Sequence, residues 1–195
     1  MRIVFATRNE GKVREIRELL AAEDIELCSL NAFAQAPDIV EDGATYLENA
    51  LKKAKIISEF SGETVLADDS GLQVDALDGE PGIYSARYAG EGATDEENNA
   101  KLLDRLKDVP PAARTAAFHC ALVLYEPGGR WRAFEARWPG LIIDERRGTN
   151  GFGYDPIFLD PKYSKTAAEL PPRIKNTVSH RGQAFALLKS HLCSA

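Results

Sequence analysis

The chain is poor in several things, and each shortage removes a class of function. Cysteine is scarce: Cys28, Cys120 and Cys193 are an odd number, with no CxxC or zinc spacing. That excludes a disulfide framework and a zinc module, and it fits reduced thiols in a cytoplasmic protein. No apolar run is long enough to span a bilayer. The opening MRIVFATRNEGK turns to charge too soon for a signal peptide. Positive charge is not in excess, since the formal net charge is −6. The chain as a whole is therefore not drawn to nucleic acid or to anionic membranes, and a polyanionic ligand must be met by a local cluster of cations. Repeats, low-complexity segments and linkers are missing too. So is a Walker A loop: around Gly11-Lys12 it would need Gly at position 6 and Ser or Thr at 13, where this chain has Ala6 and Val13.

What remains is an ordinary globular composition, 44% hydrophobic and 28% charged over 195 residues. It predicts one domain, 1–195, with at most two lobes around one cleft. The centre of the reading is Thr64 to Gly71, TVLADDSG. Its apolar start predicts a buried strand ending abruptly at Asp68 and Asp69. Two buried acids are costly without a cationic partner, and a hard divalent cation shared with substrate phosphates would serve. An Asp-Ser-Gly turn explains the same letters more simply.

Taken in order, Arg2 to Thr7 predicts a first strand and Gly11 to Ala22 a helix, with Val13, Ile16, Leu19 and Leu20 at helical spacing. The turn between them, Thr7 to Lys12, is a candidate phosphate site. Unpaired N–H groups and the helix dipole favour an anion there, and Lys12 adds charge. An ordinary βα turn with a solvent-facing lysine accounts for it equally well. Ile25 to Ser29 predicts a strand. Thr45 to Ser61 predicts a helix, with Thr45 and Glu48 as a capping box, and Thr94 to Leu106 another, with Thr94 and Glu97. Arg114 to Tyr125 and Trp131 to Trp138 read as a hairpin, and Leu141 to Ile143 as a short strand. Gly148 to Asp155, GTNGFGYD, is a glycine-rich loop running into a strand at Pro156 to Leu159. Its glycines serve turn geometry or a close approach to a ligand, with Phe152 or Tyr154 beside a base. Thr166 to Leu170 predicts a helical turn, interrupted by Pro171 and Pro172. Ser179 then caps a last helix, His180 to His191. Arg181 at that helix start opposes the dipole and asks for an anionic or carbonyl-rich partner.

Six stretches now stand in one order: ATRNEGK, EDGATYLENALKKA, LADDSGL, PGIYSARY, GFGYDPIF and SHRGQA. Together they resemble the inosine triphosphate pyrophosphatase family, from Ile3 to Leu188. The resemblance implies an α/β fold, a long twisted mixed sheet with flanking helices and two lobes around a central nucleotide-binding cleft. It also implies a homodimer that uses Mg²⁺ to hydrolyse non-standard purine nucleoside triphosphates to monophosphate and pyrophosphate. On this resemblance Thr7, Arg8, Asn9, Glu10, Gly11 and Lys12 hold phosphates and Lys53 lies on the phosphate side. Asp69 is the general base and a metal ligand with Glu41, and Ser70 contacts substrate. Phe152, Gly153, Tyr154, Asp155, Lys175, His180 and Arg181 surround the nucleotide, the last two on the base. Arg8 stands where many members have Gly, and Pro171-Pro172-Arg173 replaces a more polar helical start before Lys175.

The chemistry suits those roles, because phosphoryl transfer needs charge neutralisation and an oriented nucleophile. Whether Asp68 or Asp69 acts as base and which as metal ligand stays open at this level. Two other readings compete. Maf-like nucleotide pyrophosphatases open with a Ser-Pro-Arg-Arg type loop, which TRNEGK does not match. A nucleotide-sensing module without turnover gains nothing from adjacent carboxylates that repel phosphate.

Overall fold

The structure, a computed structural model, describes residues 2–20 and 25–193. The chain divides into two compact units. The first comprises residues up to Asp69, Cys120–Ala136 and the chain from Arg181 on; the second comprises Ser70–His119 and Arg137–His180.

The first unit begins with parallel strands. β1 (Arg2–Phe5) pairs in parallel with β2 (Glu26–Ser29) and with the start of β3 (Val65–Val74), in the register Val4 to Val65 and Phe5 to Leu66. α1 (Glu10–Leu20), α2 (Tyr46–Ser61) and α5 (His180–Leu192) cover it. Strand alternation decides which helix meets which side chain, since neighbours on a strand point to opposite faces. Ile3, Phe5 and Leu66 pack with Val13 and Ile16 of α1 and with Phe185 and Leu188 of α5. Val4, Val65 and Ala67 pack with Ala50, Ala54 and Ile57 of α2.

In the second unit Leu72 and Val74 of β3 join Leu102 and Leu106 of α3 (Asp95–Leu106). Phe118 of β4 (Thr115–Tyr125) and Trp138 of β5 (Trp131–Ile142) belong to the same cluster. β6 (Phe158–Asp160) pairs antiparallel with β5, and β7 (Lys165–Thr166) antiparallel with β6. α4 (Pro172–Val178) precedes α5. The strands pair in the order β2-β1-β3-β4-β5-β6-β7, a mixed seven-stranded sheet with flanking helices, as the α/β reading predicts.

Several local expectations are corrected. β3 does not stop at the acids; it runs through Asp68, Asp69 and Ser70 to Val74. Turn-forming letters lose there because cations neutralise the carboxylates within the strand. β5 likewise continues through Pro139 and Gly140, so the separate strand at Leu141 is its end. Gly140 is required: a Cβ would stand 2.5 Å from Phe158 Cζ and 2.6 Å from the Leu159 carbonyl oxygen. Thr166 to Leu170 makes the one expected turn, with the Leu170 N–H donating to the Thr166 carbonyl at 3.2 Å, and no longer helix. Glu169 does accept the Thr166 N–H at 2.8 Å, but Thr166 ends β7 and only a turn follows. Pro171 and Pro172 begin a helix rather than interrupt one, because proline's fixed φ suits the first helical position. β1 closes at Phe5 rather than Thr7, β2 begins at Glu26, and β6 covers Phe158–Asp160 rather than Pro156 to Leu159. α1 begins at Glu10, and its predicted end at Ala22 lies outside the described residues. Thr94 and Glu97 form both halves of a capping box. Thr45 accepts from Glu48 N–H, but the Glu48 carboxylate reaches Ala44 N–H at 2.7 Å instead of Thr45.

Candidate active site

Because β3 continues through the acidic pair, its pleat separates the two carboxylates. Asp68 follows Leu66, toward α1 and α5. Asp69 follows Val65 and Ala67, toward α2. Each meets its own cations.

Asp68 is completely buried, and its Oδ2 lies 3.0 Å from Lys12 Nζ and 3.3 Å from Arg181 Nη2. Arg181 also pairs with Glu15 of α1. Burial pushes the Asp68 carboxyl up, but Lys12, Arg181 and Lys53 outweigh it and hold the group well below the usual carboxylate range. Burial likewise opposes the Arg181 charge, and Glu15 and Asp68 more than restore it. Asp68 is thus a permanent anion with two cations seated on it.

Asp69 lives differently. Its Oδ2 accepts a hydrogen bond from Asn49 Nδ2 at 3.0 Å, and Lys53 Nζ stands 3.6 Å from its Oδ1. The same ammonium is 3.0 Å from Glu41 Oε1. Asn49 and Lys53 are one helical turn apart on α2 and so share a face. Burial pushes the Asp69 carboxyl up; Lys53 and Lys12 pull it down, Glu41 pushes it up again, Asn49 pulls it down, and the net shift is upward. Two adjacent acids therefore have opposite characters, a permanent anion and a carboxylate drawn toward proton uptake. That contrast marks Asp69 as the candidate base.

Asn49 is a residue that the sequence reading did not single out. Its Oδ1 accepts the Gly43 N–H at 2.8 Å, so one buried amide ties the Glu41-bearing loop to Asp69. A Cβ on Gly43 would stand 2.7 Å from that Oδ1, which is why the loop has glycine here. The available signal was its position four residues before Lys53 in ENALKKA.

In the Thr7 to Lys12 turn, Thr7 Oγ1 accepts from Asn9 N–H at 3.2 Å and Asn9 Oδ1 caps α1 by accepting from Lys12 N–H at 3.1 Å. Arg8 donates to the Ala36 carbonyl at 3.0 Å, Glu10 accepts from the Asn31 amide, and Gly11 lies in the first turn of α1. Ser70, the next β3 residue, is half-buried and belongs to the second unit.

The second unit gathers the glycine-rich loop. Asp155 Oδ2 accepts the Phe152 N–H at 2.9 Å and Lys175 Nζ of α4 at 2.7 Å. Lys175 Nζ also lies 5.6 Å from the Phe152 ring centroid, within cation–π reach. Gly151 has φ near +80° and no room for a side chain: its Cβ would stand 1.9 Å from Asp155 Oδ2. Tyr154 is buried, and its hydroxyl donates to the Ser85 carbonyl at 2.9 Å, so it holds the loop from below. His180 is buried and stacks on Phe118 at 4.8 Å and 12°. Its neighbour Arg181 belongs to the first unit, with Asp68 and Glu15 as its acidic partners.

Comparison with known proteins decides the family. The Ham1 family model matches residues 3–191. The chain belongs to the Ham1 family. Among Ham1 relatives, a dITP/XTP pyrophosphatase of Geobacter sulfurreducens is 56% identical over 98% of this chain and 96% of its own length. One from Desulforamulus reducens is 50% identical over 95% of this chain and 92% of its own. Of solved structures, a HAM1 protein from Coxiella burnetii superposes with a TM-score of 0.90 at 44% identity, covering all of both chains. The Staphylococcus aureus Ham1 protein gives 0.88 at 41% identity, over 100% of this chain and 99% of that one. The α/β reading and the resemblance that led to it are thus both upheld.

Proposed function

We propose that this Ham1-family chain is a hydrolase that converts non-canonical purine nucleoside triphosphates, dITP, ITP and XTP, to the monophosphate and pyrophosphate. The names of its relatives support that substrate class. The observation that carries the mechanism is the Glu41–Lys53–Asp69 arrangement, two carboxylates on one ammonium with the Asp69 carboxyl drawn upward.

In this reading Asp69 takes a proton from water. The water oxygen bonds to the α-phosphorus, the bond from that phosphorus to the α–β bridging oxygen breaks, and pyrophosphate leaves. Lys12, Lys53 and the N–H groups of Arg8, Glu10 and Gly11 neutralise the phosphates, since Thr7 N–H donates to the Phe5 carbonyl and Asn9 N–H to Thr7 Oγ1. Asp68 keeps Lys12 and Arg181 charged and in place. Glu41 and Asp69 would hold Mg²⁺. Among the described residues no group of three or more His, Cys, Asp or Glu side chains is placed to hold a metal ion. Two carboxylates suit a hard cation that completes its shell with water and substrate phosphate, not a closed structural site. When bound, the ion neutralises charge on the phosphates.

The base falls to Phe152 to Asp155, Lys175 and His180, with Ser70 also touching substrate. Arg181 remains a candidate donor to the purine O6, at the cost of one of its acidic pairs. We assign the protein to the cytoplasm as a homodimer acting on small molecules. Its three unpaired cysteines and negative net charge agree, and no helix among the described residues is long and apolar enough to cross a membrane. The decisive assay measures pyrophosphate release from ITP, dITP, XTP, ATP and GTP with and without Mg²⁺. Release that is Mg²⁺-dependent and favours dITP and XTP is the expected result. Sequential orthophosphate release, or no turnover, overturns the reading.

A further inference from the structure

The glycine-rich loop is fastened from outside by residues that the mechanism does not use. Gly153 sits at φ near +60°, and both of its backbone polar groups are taken by α3. Its N–H donates to Asp95 Oδ2 at 2.7 Å, and its carbonyl accepts from Asn99 Nδ2 at 2.9 Å. The same Asn99 amide donates to the Asp95 carbonyl at 2.8 Å, locking the two α3 residues to each other. On the other side of Phe152, Gly151 admits only the Asp155 carboxylate, which itself holds the Phe152 N–H. Phe152 is thus presented between two anchored peptides, with Lys175 near its ring.

Stability alone does not explain Asn99. It is 1% exposed, and its Oδ1 is buried with no hydrogen-bond partner among the described residues. Native proteins pair nearly all such atoms, and the exceptions call for a reason. Here the reason is that Nδ2 must aim at Gly153. The helix start itself is already secured by the Thr94–Glu97 capping box. Asn98, next in the chain, ties Ala89 N–H and the Ala86 carbonyl at 2.7 and 3.2 Å, so α3 fastens two loops with consecutive amides.

We propose that Asp95 and Asn99 are positioning residues that set the Phe152 loop for base recognition. This rests on the nucleotide-hydrolase reading. They touch the loop, not the substrate, so losing them changes how well the base is held and leaves the chemical step alone.

The test uses Asn99→Ala, Asp95→Ala and Asp95→Asn in the full chain, with two probes bound by calorimetry: inosine monophosphate and inorganic tripolyphosphate. Asp95 is exposed, so Asp95→Ala leaves the fold intact and serves if Asn99→Ala does not fold. Each alanine variant should weaken inosine monophosphate about tenfold, the worth of one hydrogen bond, and leave tripolyphosphate affinity unchanged. KM for ITP should rise by a similar factor, about tenfold, with kcat within about twofold. Asp95→Asn keeps an acceptor oxygen for Gly153 N–H and should restore wild-type affinity. Unchanged affinity for inosine monophosphate, an equal loss for both probes, or a fall in kcat at constant KM overturns the proposal. A wild-type protein that binds inosine monophosphate but releases no pyrophosphate removes the activity reading, while the positioning role is still judged by the monophosphate affinities. A wild-type protein that releases pyrophosphate from ITP but does not bind the monophosphate removes the positioning role and leaves the activity reading standing.

Discussion

Neutralising the two adjacent acids of β3 one at a time should have opposite effects on stability. Asp68→Asn leaves Lys12 and Arg181 facing a neutral amide in a fully buried place. Removing one partner of a buried ion pair costs about 3–5 kcal/mol. Arg181 keeps Glu15, and Lys12, 15% exposed, regains some water. The lower end, about 3 kcal/mol, therefore applies. For a chain of this size each kcal/mol moves Tm by about 2–4 °C, so the fall should be about 6–12 °C. Asp69→Asn runs the other way. Its raised pKa means that the ionised form is less favoured folded than unfolded, so removing the charge should hold or raise Tm at pH 7. Turnover in that variant should nonetheless fall about 10²–10⁴-fold, the usual cost of a lost general base.

The pH dependence separates the two further. Asp68 has a depressed folded pKa, so its stabilisation is full above the unfolded value of 3.8 and is lost as pH falls through the lower folded value. The gap between wild type and Asp68→Asn should close only in strong acid. Asp69 has a raised folded pKa, so its penalty is absent in acid and sets in as pH rises through that value. The advantage of Asp69→Asn should be present at pH 7 and vanish toward pH 4. Calorimetric Tm from pH 3 to 8, where the Asp68 gap should stay open while the Asp69 advantage closes, with pyrophosphate release at pH 7, tests both. A stable Asp68→Asn, or an Asp69→Asn that melts earlier than Asp68→Asn, refutes the division of roles.

Asn49→Ala should lower stability by about 1–3 kcal/mol, because Gly43 N–H loses its buried acceptor, and should lower kcat as Glu41 and Asp69 lose their common tie; urea unfolding with single-turnover kinetics checks it. Lys12→Ala should chiefly raise KM, since a phosphate is charged in the ground state as well as the transition state; a collapse of kcat at constant KM would place Lys12 on the transition state instead. Arg181→Ala should weaken ITP more than ATP if the guanidinium reaches the base, and an unchanged ratio of kcat/KM leaves it as the partner of Asp68 and Glu15. Cys120, its thiol pushed up to about 12 by burial and by Asp68, should resist iodoacetamide in the native protein, while exposed Cys193 is modified; mass spectrometry of the alkylated chain decides.

Much of the fold was legible because its signals are local. Helical spacing in α1, the Thr94–Glu97 box and the apolar start of β3 all act within a few residues. What was not legible depended on distant partners. The letters Asp-Asp-Ser-Gly favour a turn until Lys12, Lys53 and Arg181 arrive from elsewhere in the chain. Pro139-Gly140 favours a break until Phe158 comes close enough to require glycine. Asn49, Asp95 and Asn99 read as ordinary helix residues, and only the loops they hold distinguish them.

The continuation of β3 also gives the two acids separate surroundings. Adjacent carboxylates at a strand tip would share one environment. On a continuing strand the period of two sends them to opposite faces. Asp68 then collects Lys12 and Arg181 beside α1 and α5, and Asp69 collects Lys53, Asn49 and Glu41 beside α2. The first acid can be fully ionised without lowering the second by proton sharing, and the second can be tuned upward by burial without uncoupling Lys53. A one-residue slip of β3 against β1 would exchange these faces and place each acid among the other's cations. The register of Val4 with Val65 and Phe5 with Leu66 is therefore as much a part of the proposed catalytic arrangement as the carboxylates are.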